Sequence, residues 1–174
     1  MLLCSGSNYI VQGNATKTQN SVFQRNQFRI CSCQLSTNME NIQVKEITRI
    51  NHLGLRVKDL NTSRAFYEKL GFIFIAGPVG PEPVAIMEHP SGVNINFILN
   101  ADSECTENVL MDTSAKNTGY THVALEVTSA ESALKTVKEL GIAITGEVEF
   151  EGAKFFFIRD PDKNVIEFHQ PSSS

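Results

Sequence analysis

Two histidines stand at matching places in the two halves of the chain. His52 lies in the segment INHLGLRV (50–57), and His122 lies seventy positions later in YTHVALEV (120–127). An imidazole can move protons or bind a metal ion near neutral pH, whereas a lone histidine on a strand is more often a structural residue. Because the two imidazoles recur in one register, we interpret them as parts of a single site.

The two segments belong to a longer internal repeat. The same offset aligns Leu55 with Leu125 and Gly71 with Gly141, and a one-residue adjustment aligns residues 89–97 with 160–168. The chain therefore contains two copies of one unit, at about residues 48–100 and 118–170.

The hydrophobic periodicity of each unit predicts the elements that position the histidine. Alternating apolar and polar residues predict a first strand, with the histidine on the face opposite the apolar side chains. Helical spacing then predicts a helix capped by Asp59 or Thr128 and ended by Gly71 or Gly141. Short strands are predicted to follow at residues 72–75, 84–88 and 93–99, and at 142–145, 154–159 and 164–169. The predicted order is β-α-β-β-β, twice.

The charges divide the chain into a leader and a domain. All 19 acidic residues lie at Glu40 or later, so residues 1–38 carry a charge of +3 in a chain of net charge -4. Residues 1–45 are predicted to be a disordered leader with the composition of an organellar transit peptide, and the alternative is a start at Met39. Residues 46–172 are predicted to form one domain, located in the cytoplasm or, with a transit peptide, in a mitochondrion or plastid.

The composition argues against two classes of protein. No apolar run approaches the ~18 residues that a membrane-spanning helix needs, and the acidic balance provides no basic surface for nucleic acid. We therefore expect a small molecule as the partner, and neither a membrane nor a nucleic acid.

The ordered motifs resemble those of the vicinal oxygen chelate superfamily, in particular glyoxalase I (lactoylglutathione lyase)-like proteins. The similarity covers about residues 48–170, and it rests on HLGLRV (52–57), FY (66–67), LGF (70–72), HVALEV (122–127), DPD (160–162) and VIEF (165–168). It implies an α+β fold in which two βαβββ units form a concave mixed sheet with the helices outside.

The resemblance also implies a metal site and a substrate site. Carried over by position, the ligands of one divalent metal (Zn, Ni, Fe, Mn or Co) are His52, His122, Glu167 and, more weakly, Asn96. Glyoxalase I has a glutamate where this chain has Asn96, and the epimerase branch has an amide there.

Two further positions match residues that contact the glutamyl part of glutathione. These are Arg56 and Asn100, and the alternative for Arg56 is pairing with an acidic neighbour. For His169, two residues beyond Glu167, we expect a place on the surface, with support of Glu167 as the alternative.

The implied activity is that of a lyase which isomerises the glutathione hemithioacetal of methylglyoxal to a thioester. Glutathione is then the co-substrate and Glu167 the catalytic base. Two alternatives of the same fold are an extradiol-type dioxygenase, with two histidines and one carboxylate on iron, and an acyl-CoA epimerase. A third is a metal-free binding protein similar to bleomycin-resistance proteins. Chains of this superfamily often pair, so a homodimer is a further expectation.

Overall fold

A computed structural model gives the structure of the protein and describes residues 44–104 and 106–172. The predicted leader, apart from residues 44 and 45, lies outside the described residues. The elements of the first unit are β1 (Leu53–Arg56), α1 (Leu60–Lys69), β2 (Ile73–Val79), β3 (Val84–Glu88) and β4 (Asn94–Ile98). Those of the second are β5 (His122–Glu126), α2 (Ala130–Glu139), β6 (Ile144–Phe150), β7 (Ala153–Arg159) and β8 (Val165–Gln170). The predicted order and the α+β class are confirmed.

Each unit builds a four-stranded mixed sheet. The strand orders are β1-β4-β3-β2 and β5-β8-β7-β6. The first strand of each unit runs parallel to the last, and the other pairings are antiparallel. His122 lies on β5 and His52 directly precedes β1, whereas the sequence predicted it within the strand. These two strands are the direct neighbours of the strands that carry Glu167 and Asn96.

Equivalent strands pair in equivalent registers in the two sheets. Gly54 on β1 pairs with Asn96 on β4, and Ala124 on β5 pairs with Glu167 on β8. Gly54 and Ala124 thus each lie two residues after a histidine of the repeat. The internal repeat predicted from the sequence is present in the backbone pairing itself.

One face of each sheet carries the hydrophobic core. The largest buried side chains come from both units, and they are Tyr67, Phe97, Phe156, Met87, Ile158, Ile166 and Val57. Burying a side chain of this size contributes roughly 1.5–3 kcal/mol each. Since strand side chains alternate between faces, the residues between them form a second, more open face on each sheet. Asn96, His122 and Glu167 belong to that open face by their register, and His52 directly precedes β1.

The helix starts are determined by local hydrogen bonds. Asp59 caps α1 as predicted, because its Oδ1 accepts a bond of 2.7 Å from the Thr62 amide. The prediction of Thr128 as the cap of α2 is wrong. Ser129 is the cap, since it has extended backbone (φ -148°) and its Oγ accepts from the Ser132 amide at 3.1 Å.

Strand β2 is longer than predicted. The prediction ended at residue 75, and the strand continues through Ala76, Gly77 and Pro78 to Val79. A Cβ on Gly77 would lie 2.5 Å from the Cα of Ala85, so glycine permits the close approach of β2 to β3. Among the described residues, no helix has the length and apolar character needed to cross a membrane.

Candidate metal and substrate site

Glu167 is a charged residue in the middle of a sheet. It lies on the central strand β8 between Ala124 and Phe157, its register partners on β5 and β7, and it is only 7% exposed. A buried carboxylate is costly unless hydrogen bonds or a cation compensate it. The small Ala124 leaves space beside the carboxylate, so partners can reach it.

Two imidazoles supply those hydrogen bonds, one to each oxygen. Nε2 of His122 lies 3.1 Å from Oε2 of Glu167, and Nδ1 of His169 lies 2.7 Å from Oε1. An ionised carboxylate only accepts hydrogen bonds, so both facing nitrogens donate to it. His169 contacts Glu167, which was the alternative given for it, and its side chain is also 36% exposed.

Aromatic rings flank both imidazoles. Phe155 stacks on His169 with the ring centroids 5.3 Å apart and the planes at 9°, and Phe157 meets His122 edge-on at 6.1 Å. These contacts limit the rotation of the imidazoles and give the open face of the second sheet an apolar wall.

Nδ1 of each histidine of the repeat lies next to a polar side chain of the preceding residue. Nδ1 of His52 lies 2.9 Å from Oδ1 of Asn51, and Nδ1 of His122 lies 3.0 Å from Oγ1 of Thr121. Asn51 and Thr121 are related by the same offset as the histidines. In both units Nδ1 is therefore occupied locally, which leaves Nε2 for the site.

Both histidines of the repeat line one cavity of about 1000 Å³. Its lining includes His52 and Arg56 from the first unit and His122 from the second, together with apolar residues such as Leu55 and Val123. Asn96 and Glu167 are not among its lining residues. Within the described part of the chain, no three His, Cys, Asp or Glu side chains are grouped so that they could hold a metal ion.

The His122 and Glu167 pair nevertheless fits part of a metal site. Nitrogen and oxygen ligands lie about 2.0–2.2 Å from a bound divalent cation, so two adjacent ligands are separated by roughly 3 Å. The observed separation of 3.1 Å matches two neighbouring positions of one coordination sphere. The proton that Nε2 of His122 donates to Glu167 must leave when a metal binds there. The four-ligand set with His52 and Asn96 stays a prediction.

Arg56 and Asn100, the predicted substrate contacts, lie against each other. Nε of Arg56 donates to Oδ1 of Asn100 at 2.8 Å, and Nδ2 of Asn100 donates to Oε1 of Glu82 at 2.7 Å. Arg56 is thus linked through Asn100 to an acidic residue, Glu82. Sequence reasoning missed Glu82, which lies in the Gly-Pro-rich segment AGPVGPEP (76–83) and carries no motif of its own.

The family model described as the Glyoxalase/Bleomycin resistance protein/Dioxygenase superfamily matches residues 49–168. The chain belongs to this superfamily. The match includes residues of all eight strands and every predicted site residue, so the resemblance inferred from the motifs is confirmed.

Relatives of known identity carry different activities on this fold. Mitochondrial methylmalonyl-CoA epimerase from Bos taurus is 31% identical over 131 residues, which are 70% of this chain and 71% of the epimerase. A lactoylglutathione lyase from Agrobacterium tumefaciens matches with a TM-score of 0.54 and 17% identity, over 72% of this chain and 96% of that one. A fosfomycin resistance protein from Listeria monocytogenes, in a mutant form complexed with Mn(II), matches with a TM-score of 0.52 and 20% identity, over 71% of this chain and 90% of that one. The proteins that match this chain thus include two named as enzymes and one complexed with Mn(II).

Proposed function

We propose that the chain is a metal-dependent lyase of the glyoxalase I type, which isomerises the glutathione hemithioacetal of methylglyoxal to the thioester. The observation that carries the proposal is the buried carboxylate of Glu167, with Oε2 3.1 Å from the imidazole of His122 on the open face of a sheet. A carboxylate in this setting is suited to take a proton from one carbon and to return it to the next.

The residues have separate tasks in this reaction. His122 and Glu167, with His52 and Asn96 from the first unit, would hold the divalent metal. When bound, the metal supplies electrostatic stabilisation of the negative charge that develops on the substrate oxygens. Glu167 would move the proton between the two carbons once the substrate has displaced it, because a carboxylate beside a dication is too acidic to be a good base.

Arg56 and Asn100 orient the glutathione part of the substrate. Their hydrogen bond of 2.8 Å fixes the guanidinium in one place, and its fork of donors is suited to a carboxylate. Glutathione provides such a carboxylate in its glutamyl part.

The test combines metal analysis with turnover. The full chain is expected to bind one divalent metal per chain and to form thioester from the hemithioacetal only with metal and glutathione present. His122→Ala is expected to lose the metal, and Glu167→Gln to lose turnover by a factor of 100 or more, on the order of the 10²–10⁴ that acid–base catalysis provides. Glu131→Gln, on the exposed side of α2, is the matched control and should act like the wild type. Full turnover in E167Q would reject the proposed role of Glu167.

An acyl-CoA epimerase is the second candidate. The amide at Asn96 on β4 favours it, as does the 31% identity with an epimerase. Both reactions begin with removal of a proton next to a carbonyl, so the same Glu167 would serve either one. Incubation with a 2-methyl-branched acyl-CoA in ²H₂O separates them: metal-dependent exchange of the α-proton, without turnover of the hemithioacetal, selects the epimerase.

A homodimer is also part of the proposal. Sedimentation equilibrium is expected to give twice the chain mass of 19.2 kDa. A mass that stays at the monomer value over micromolar concentrations would reject it.

A further inference from the structure

The two units differ at the position two residues after the predicted ligand of their last strand, which is His169 in the second unit and Ile98 in the first. In the second sheet Phe155 pairs with His169, and in the first sheet Val84 occupies the matching place and pairs with Ile98. An imidazole therefore stands two residues after the charged Glu167, whereas an aliphatic side chain stands two residues after the neutral Asn96. The donor occurs in the unit that has a carboxylate to receive it.

His169 and His122 contact different oxygens of the Glu167 carboxylate. Oε1 accepts from Nδ1 of His169 at 2.7 Å, while Oε2 faces Nε2 of His122 at 3.1 Å. The distance to His169 is at the short end of the range for a charge-assisted hydrogen bond. With Oε1 held in this way, rotation of the carboxylate about its last bond would break the stronger of its two contacts.

The surroundings of His169 fix the donor as well. Its ring lies parallel to that of Phe155, with planes at 9°, and its side chain is 36% exposed. Phe155 holds the plane of the ring, and in this plane the hydrogen bond directs Nδ1 at Glu167.

We propose that His169 is a positioning residue, which holds Oε1 of Glu167 so that Oε2 alone serves the metal and the transferred proton. The inference rests on the proposed function, since it assigns the metal-facing and proton-moving role to Glu167. A partner that anchors a metal-ligating side chain typically accounts for a 10- to 100-fold effect on metal affinity or activity.

Two substitutions separate the hydrogen bond from the ring. His169→Asn keeps a nitrogen donor at the same number of bonds from Cα as Nδ1, but it removes the ring. His169→Phe keeps a ring that can stack on Phe155 but removes the donor. Each variant is therefore the control for the other. Thermal unfolding of both proteins establishes that they are folded.

Metal affinity is measured by calorimetric titration of the full chain with Ni²⁺, and kcat and KM are measured with the hemithioacetal. H169F is expected to bind the metal about 10- to 100-fold more weakly and to lose kcat with little change in KM, whereas H169N stays within a few-fold of the wild type. The opposite order, with H169F close to the wild type and H169N impaired, would show that His169 only fills space. If H169F does not fold, a folded H169N with weakened metal binding overturns the inference, and wild-type affinity supports it.

The outcomes also separate this inference from the proposed function. A wild-type chain that binds no metal and turns over neither substrate rejects the proposed function, and the inference with it. A wild-type chain that binds and reacts, together with an H169F variant of equal affinity and kcat, rejects the role of His169 alone.

Discussion

The hydrogen bonds of the two repeated histidines determine which nitrogen each one offers. Oδ1 of Asn51 can only accept, so His52 presents Nδ1–H to it and leaves Nε2 without a proton in the neutral ring. The hydroxyl of Thr121 can donate or accept, so it suits His122 both when Nε2 donates to Glu167 and when Nε2 binds a metal. Thr121 can therefore remain a partner of His122 through the change that metal binding requires.

Removing this hydroxyl is predicted to weaken metal binding. Thr121→Val preserves the shape of the side chain but leaves Nδ1 of His122 without its partner, so we expect an affinity about tenfold lower. Thr121→Ser keeps the hydroxyl and is the control, with affinity near that of the wild type. Calorimetric titration with Zn²⁺ measures both, and equal affinities for the two variants would contradict the argument.

At the scale of elements, α2 shows how closely a cap depends on backbone conformation. Thr128 and Ser129 are both hydroxyl residues, but Ser129 has the extended backbone and the hydrogen bond to Ser132. A side-chain oxygen that satisfies a free amide in the first turn typically contributes about 1 kcal/mol.

Alanine substitutions at the two positions test this assignment. Ser129→Ala is predicted to lower the free energy of unfolding by about 1 kcal/mol, and Thr128→Ala to change it by a few tenths at most. Urea unfolding of both variants, followed by circular dichroism, measures the difference. A larger loss for T128A than for S129A would contradict the assignment of Ser129 as the cap of α2.

The order of the elements could be predicted because their hydrophobic periods are clear, but the strand ends could not. Strand β6 was predicted at residues 142–145 and runs from Ile144 to Phe150. Its extension is stabilised by pairing with β7, up to Phe150 opposite Ala153. The two residues between them, Glu151 and Gly152, both have positive φ, as a tight hairpin turn requires. Glu-Gly is a weak turn signal in a sequence, so the pairing and not the local composition decided the strand length.

The candidate site was predictable to a similar degree. The repeat identified His122, and the resemblance identified Glu167 beside it. The contact of His169 had a signal in its spacing, because residues two apart on a strand share a face. Whether such neighbours touch depends on side-chain rotamers and on Phe155, which sequence periodicity does not determine.

At the scale of the whole molecule, a buried hydrogen bond links the first unit to the second. The hydroxyl of Tyr67 on α1 donates to Oδ2 of Asp160 at 3.2 Å, and both residues are buried. Asp160 also accepts from the amides of Asp162 and Asn164 and from Nδ2 of Asn164, in the turn that leads into β8. This turn therefore positions the strand that carries Glu167 relative to the first unit.

Burial raises the pKa of Asp160, and the hydrogen bond from Tyr67 opposes that rise. Since the pKa in the folded chain exceeds the unfolded value, the protonated carboxyl favours folding. Its contribution is fully present below the unfolded pKa and is lost as the pH rises through the folded pKa. The Tyr67 hydroxyl favours the charged form, so it matters most at neutral pH.

Tyr67→Phe is accordingly predicted to destabilise the chain in a pH-dependent way. The free energy of unfolding should fall by about 1.5–3 kcal/mol at neutral pH, where a hydrogen bond to a charged group is lost, and by less once Asp160 is protonated. Urea unfolding of the wild type and Y67F at a series of pH values measures the difference. A loss that is the same at every pH would show that the hydroxyl does not sense the charge of Asp160.

The unequal halves of the repeat have a consequence for how a ligand can lie in the molecule. Two copies of one fold related by near-symmetry would offer a small ligand two interchangeable poses, and hence chemistry on either of its sides. Here the open face of the first sheet carries Asn96 and Ile98, and that of the second sheet carries Glu167 and His169. We expect this imbalance to select a single pose and to confine proton removal to one side of the reacting carbon. A stereospecifically deuterated substrate that lost its label equally from both sides would speak against it.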